Sequence, residues 1–136
     1  MKNTTDYAAA AQKNETHAHA VIRKSGIIPA WKNIGAEINL VGSLKIGTLG
    51  KHPDIDFHTY TPELDIRQSF AVMAQIAQNP QARHIEFVNL ADTEECCFEW
   101  HIWFDDNNGT LWQIDIIQIK RGTKYLSLIH ISEPTR

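Results

Sequence analysis

Val41-Gly42-Ser43-Leu44-Lys45-Ile46-Gly47-Thr48-Leu49-Gly50-Lys51-His52-Pro53-Asp54-Ile55-Asp56-Phe57-His58-Thr59 is the stretch on which the reading of this chain turns. An apolar strand, Ile38 to Val41, runs straight into Gly42-Ser43. Ser43 is placed to cap a short helix, Leu44 to Leu49, which Gly50 closes. Free backbone N–H groups point out of such a helix start, and the helix dipole favours an anion there. Gly42 has no Cβ to hold a phosphate away, and Ser43 adds a hydroxyl donor. Lys51, with Lys45 and His52, borders this phosphate cradle, although a solvated surface is the plainer reading for any one of the three.

Ile55 to Tyr60 reads as the next strand. Asp54 and Asp56 stand two apart, so their carboxylates share one face, while Ile55 and Phe57 turn to the core. Two like charges on one spot repel, and a divalent cation that takes oxygen ligands, such as Mg²⁺, resolves the repulsion. Asp-x-Asp alone is a weak signal, common on exposed strands. The upstream Gly-Ser turn is what makes it informative. His58 shares the carboxylate face and reads equally well as a phosphate contact or an ordinary surface histidine.

Working outward, Thr4 to Ser25 has helix-forming composition and Gly26 stops it. His17 and His19 lie two apart within it, the wrong spacing for a helical metal pair, and read as surface residues. Ile27 to Ala36 holds a short helix through Trp31 and Ile34, with Pro29 in its first turn. Pro62 to Ala77 carries apolar residues at Leu64, Ile66, Phe70, Met73, Ile76 and Ala77, one approximate helical face. His84 to Leu90 alternates, with Ile85, Phe87 and Leu90 toward the core. Phe98 to Phe104 and Thr110 to Lys120 flank Asp105-Asp106-Asn107-Asn108-Gly109, a hairpin signal. Trp100, Trp103 and Trp112 crowd that hairpin and read as core and cross-strand pairs. The order α-α-β-α-β-α-β-β-β predicts an α+β fold: a mixed sheet of about five strands with helices packed mainly on one face.

Val41-Gly42-Ser43, ten further residues, then Asp54-Ile55-Asp56-Phe57 resembles the signature of the polymerase-β-like nucleotidyltransferase superfamily: an apolar residue, Gly, Gly or Ser, a spacer of that length, and Asp-apolar-Asp-apolar. The hairpin ending in an apolar-Asp-apolar strand is similar to the small antibiotic-modifying members, such as the lincosamide nucleotidyltransferases. The resemblance implies transfer of a nucleoside monophosphate from a triphosphate to an acceptor hydroxyl, with pyrophosphate leaving. It implies two Mg²⁺ ions, or Mn²⁺, held by Asp54 and Asp56, with the phosphates on Gly42, Ser43 and Lys51. It also implies a third carboxylate from a later strand. Asp115 in Trp112-Gln113-Ile114-Asp115-Ile116-Ile117 is the favoured one, because a charge in so apolar a strand needs compensation. Period two puts Gln113 and Ile117 beside it. Glu99 is the rival, with His101 and Trp103 on its face.

Other Asp-x-Asp chemistries fit less well. Haloacid-dehalogenase-type phosphatases want an apolar strand before the first Asp and Thr or Val two after the second, where this chain has Pro53 and His58. Metal-dependent glycosyltransferases have no need of the Gly-Ser turn. A different class, kept as the alternative, is a non-catalytic nucleotidyltransferase-fold module that binds a partner, as an antitoxin-like half of a pair would.

The bulk composition sets outer bounds. The chain has 136 residues, 43% of them hydrophobic and 21% charged, which suits one modest core. A net charge of −3 and the lack of a basic stripe favour a small-molecule or protein acceptor over nucleic acid. Cys96 and Cys97 are adjacent, have no other cysteine to pair with, and read as reduced thiols with no third metal ligand spaced to help. With no apolar h-region and no membrane-span run, the expected location is the cytoplasm, away from the membrane. Residues 126–136, Leu-Ser-Leu-Ile-His-Ile-Ser-Glu-Pro-Thr-Arg, look like translated sequencing adaptor, so residues 1–125 are expected to form a catalytic core truncated at its C-terminus.

Overall fold

The computed structural model describes residues 4–41 and 53–122, with side chains from Glu15 onward. The described elements are α1 (Thr4–Ser25), α2 (Ile27–Lys32), β1 (Glu37–Leu40), β2 (Asp54–Thr61), α3 (Ile66–Ala77), β3 (Ala82–Leu90), β4 (Cys97–Asp105) and β5 (Leu111–Lys120). Gly42, Ser43, Lys45, Lys51, His52, the helix expected over Leu44 to Leu49 and the 126–136 tail lie outside the described residues.

Chain stiffness and turn chemistry explain the boundaries. Gly26, at φ 71°, breaks α1 from α2 in a left-handed conformation that suits glycine. Ser25 Oγ donates to the Ile22 carbonyl at 2.7 Å, closing the last turn of α1. The second helix is shorter than the sequence suggests: it stops at Lys32, and Gly35 at φ 84° turns the chain into β1. The third helix starts later, because Asp65 takes an extended conformation and caps it, accepting from the Gln68 N–H at 3.1 Å. The β4–β5 hairpin forms as expected, but its tip is organised by Asp106, whose carboxylate accepts from the N–H groups of Asn108 and Thr110 and from Trp112 Nε1. Burial opposes that charge, yet these three bonds together outweigh it and hold the carboxyl below its ordinary range.

Five strands pair in the order β1-β2-β5-β4-β3. β2 and β5 run parallel at the centre, and every other pair is antiparallel, so the sheet is mixed. The α+β architecture is as the sequence predicts. One core joins the sheet to all three helices: Ala18, Val21 and Ile22 from α1, Ile27 and Trp31 from α2, and Val72, Met73 and Ile76 from α3. They cover Ile55, Phe57, Trp100, Ile102, Phe104, Trp112, Ile114 and Ile116. Among the described residues, the opposite face carries a small apolar cluster, Cys97 and Ile119 with Tyr60, Leu90 and Ile117 against them.

The face that α3 buries differs from the periodic reading. Ile66 and Phe70 remain 42% and 46% exposed, and the buried positions are Ser69, Val72, Met73 and Ile76. A buried hydrogen-bond chain explains the rotation. Trp100 Nε1 donates to Ser69 Oγ at 2.8 Å, Ser69 donates to Gln118 Oε1 at 2.7 Å, and Gln118 Nε2 donates to Thr61 Oγ1 at 3.0 Å. Thr61 Oγ1 in turn donates to the Glu63 carbonyl at 2.6 Å. Apolar counting cannot place a serine in a core, but a Trp N–H and a Gln amide on the sheet demand a polar partner there. Gln118→Ala leaves two hydroxyls short of partners and is expected to cost about 2–4 kcal/mol by denaturant unfolding. A cost below about 0.5 kcal/mol would show that the chain is decorative.

Candidate metal and nucleotide site

The site grows from one alternation. Along β2 the residues alternate half-buried and buried, so Asp54, Asp56, His58 and Tyr60 share the face turned away from the described helices while Ile55, Phe57, Thr59 and Thr61 enter the core. β5 alternates in the same phase, with Gln113, Asp115 and Ile117 on the open face. Parallel pairing of β2 with β5 then sets Asp54 beside Gln113, Asp56 beside Asp115 and His58 beside Ile117. Asp54, Asp56 and Asp115 are therefore brought to one face, on the two central strands. Asp54, Asp56 and His58 each make interactions of their own in this arrangement.

β4 extends the same face. His101 lies opposite Asp115, Trp103 opposite Gln113 and Glu99 opposite Ile117. Beyond it, β3 places Glu86 opposite His101 and His84 opposite Trp103. One row across the sheet thus reads Asp56, Asp115, His101, Glu86. Both contenders for a third acid face the same way, and they are joined through a histidine. His101 Nδ1 lies 2.6 Å from Asp115 Oδ1, and its Nε2 lies 3.3 Å from Glu99 Oε1. Gln113 Nε2 donates to the same Asp115 oxygen at 3.1 Å. All three members of the His101 bridge are about a quarter exposed or less: 22% for His101, 21% for Asp115 and 25% for Glu99.

These bonds change the electrostatic account of Asp115. A compensating cation was the expected partner of its charge, whereas the protein itself supplies His101 and Gln113. Burial disfavours a charged imidazole, but Asp115 first and then Glu99 outweigh it and raise His101 above its ordinary value. A carboxylate only accepts, so contacts from both ring nitrogens to carboxylates favour the protonated ring, in the same direction as that shift.

Three hard carboxylates on adjacent strands fit Mg²⁺ or Mn²⁺ in donor chemistry. Among the described residues, however, the three potential ligand atoms found within 4.8 Å of one another belong to Glu95, Cys97 and Glu99. Glu95 and Glu99 thus stand beside Cys97, where the sequence reading found no third metal ligand spaced to help the cysteine pair. Both cysteines are free thiols. The Cys97 thiol is pushed up to about 12 by burial, then by Glu99, Glu95 and Cys96, so at neutral pH it is the protonated thiol and a weak ligand.

Two further placements differ from the sequence reading or go beyond it. Trp100 and Trp112 are core residues at 2% exposure, whereas Trp103 lies outside the core and makes a cross-strand pair with His84, their rings tilted 5.0 Å apart, with His101 at 6.4 Å. His101 is the residue that sequence reasoning left without a role. Period two puts it on the Glu99 face, but only the antiparallel register sets it against Asp115. No helix among the described residues is long and apolar enough to cross a membrane.

No family model and no curated protein matches the chain. Among solved structures, it is similar to the Cid1 poly(U) polymerase with MgGTP bound, at 23% identity and a TM-score of 0.47, covering 78% of this chain and 32% of that one. A second Cid1 structure, described for its RNA terminal uridylyl transferase activity, matches at 18% identity and a TM-score of 0.46, covering 79% of this chain and 30% of that one. The chain spans less than a third of the length of either. At that distance the likeness assigns neither a family nor an activity to this chain.

Proposed function

We propose that this chain carries the nucleotide and metal half of a nucleotidyltransferase site. The observation that supports this reading most is the register: Asp56 is the direct parallel partner of Asp115, with Asp54 on the same face. Upstream of that pair the sequence carries Gly42-Ser43 at the spacing of the nucleotidyltransferase signature.

On this reading Gly42 and Ser43 hold the β- and γ-phosphates through backbone N–H groups and the Ser43 hydroxyl, with Lys51 adding charge. Asp54, Asp56 and Asp115 are the residues that would hold Mg²⁺ or Mn²⁺. Bound there, two such ions stabilise the charge on the entering and departing oxygens of an in-line displacement. The acceptor hydroxyl oxygen forms a bond to the α-phosphorus as the bond from that phosphorus to the bridging oxygen breaks. Pyrophosphate leaves, and the hydroxyl proton passes to solvent. The chain's share of the rate is positioning and fixed charge. A net charge of −3 suits a small-molecule or protein acceptor better than nucleic acid.

Ligand linkage tests the reading without an acceptor. A nucleoside triphosphate with Mg²⁺ or Mn²⁺, at a hundredfold its Kd, adds about 2.7 kcal/mol of stability, or about 10 °C in Tm for a chain of this size. The shift is expected with triphosphate and metal together, and expected to vanish in Asp54→Asn/Asp56→Asn. No shift with any of the four common ribonucleoside triphosphates would defeat the proposal.

A further inference from the structure

We infer that His101 is a positioning residue for Asp115, and that Glu99, rather than competing to be the third acid, acts through His101. This inference rests on the nucleotidyltransferase reading above and adds a layer behind its metal site.

Asp115 sits between two neighbours on the open face, Asp56 on β2 and His101 on β4. Left to itself, a carboxylate next to another carboxylate rotates away from it or takes a proton. Here one oxygen is committed. Oδ1 accepts from His101 Nδ1 at 2.6 Å and from Gln113 Nε2 at 3.1 Å, leaving Oδ2 with no hydrogen bond among the described residues. One oxygen is thus fixed by the protein and the other is left for a ligand. Ligating carboxylates are commonly held by such outer hydrogen bonds, and their loss typically weakens metal binding by about 10–100-fold. Glu99 fixes the far side of the ring, with its Oε1 3.3 Å from Nε2, so the imidazole plane is held at both ends. His101 is 78% buried by side-chain exposure, and the strand pairing of β4 with β5 leaves its backbone no freedom to slide.

The test counts Mn²⁺ ions bound by the 136-residue chain. Free Mn²⁺ is read by electron paramagnetic resonance in a titration with a non-hydrolysable nucleoside triphosphate present. The wild type is expected to bind two ions. Asp115→Asn should lose the weaker one. His101→Leu should weaken that same ion about tenfold or more while leaving the tighter one within about twofold. His101→Asn should restore most of the affinity, because its Nδ2 donor stands where the imidazole Nδ1 stood. His101→Ser removes the same donor and serves if the leucine variant does not fold. Wild-type affinity for both ions in His101→Leu or His101→Ser, with the weaker ion lost in Asp115→Asn, would overturn the role of His101 alone. Loss of the ion in His101→Asn as well would also overturn it, since orientation by a hydrogen bond would not be what matters. Two ions bound normally by Asp115→Asn, or fewer than two by the wild type, would overturn the assignment of Asp115 and this inference with it.

Discussion

Asp115→Asn is expected to lower nucleotidyl transfer by roughly a thousandfold or more, while the complex with triphosphate survives. The isosteric amide keeps the packing of β5, where Ile114 and Ile116 are fully buried on the other face. It also still offers an oxygen to His101 and Gln113. What it removes is one negative charge beside Asp56 and, on the proposed reading, affinity for the ion that would face the acceptor. Asp54 and Asp56 would continue to hold the ion that arrives with the nucleotide, so Kd for the triphosphate should change little. Glu99→Gln is expected to cost far less, because Glu99 is one histidine removed from Asp115. Single-turnover rates for the two variants decide the order. Near wild-type turnover in Asp115→Asn together with loss in Glu99→Gln would reverse the assignment.

Phe57→Ala is expected to destabilise the fold by about 3–5 kcal/mol, a large part of what a domain of this size possesses. Phe57 is 1% exposed and stands between Asp56 and His58 on β2, facing the core. Its strand neighbours are Leu40 on β1 and Ile116 on β5. Because β2 is an interior strand, the void left by the ring has no solvent side into which the chain could relax. Phe70→Ala is the matched control. That ring is 46% exposed at the edge of the Phe87–Trp100 aromatic cluster, and its removal should cost roughly half as much or less. Urea unfolding of both variants gives the comparison, and a cost below about 1 kcal/mol for Phe57→Ala would mean that β2 is not seated on the core as described.

The two substitutions probe opposite faces of one central pair of strands. Asp54, Asp56 and Asp115 can share an open face only because Ile55, Phe57, Ile114 and Ile116 are held down on the other. A one-residue slip of β2 against the core would invert the pattern, burying the carboxylates and exposing the apolar residues. The apolar alternation that stabilises the fold is also what aims the acids.

That alternation is written locally, and for this reason it was readable without coordinates. Period two along Asp54-Ile55-Asp56-Phe57 and along Gln113-Ile114-Asp115-Ile116 assigns each side chain a face from nearest-neighbour geometry alone. The hairpin between β4 and β5, the break at Gly26 and the α+β order are local in the same sense, since turn and helix-end chemistry act over a few residues. What the sequence could not supply is which strands become neighbours. Asp56 meets Asp115 across 59 positions of chain because β5 inserts between β2 and β4, and His101 meets Asp115 through the register of that insertion. The burial of Ser69 is of the same kind, since it depends on Trp100 and Gln118 arriving from distant strands to need its hydroxyl. Faces follow from backbone geometry within a strand, whereas partners follow from the packing of the whole core, and it is the partners that turned Glu99 from a rival of Asp115 into a residue tied to it through one imidazole.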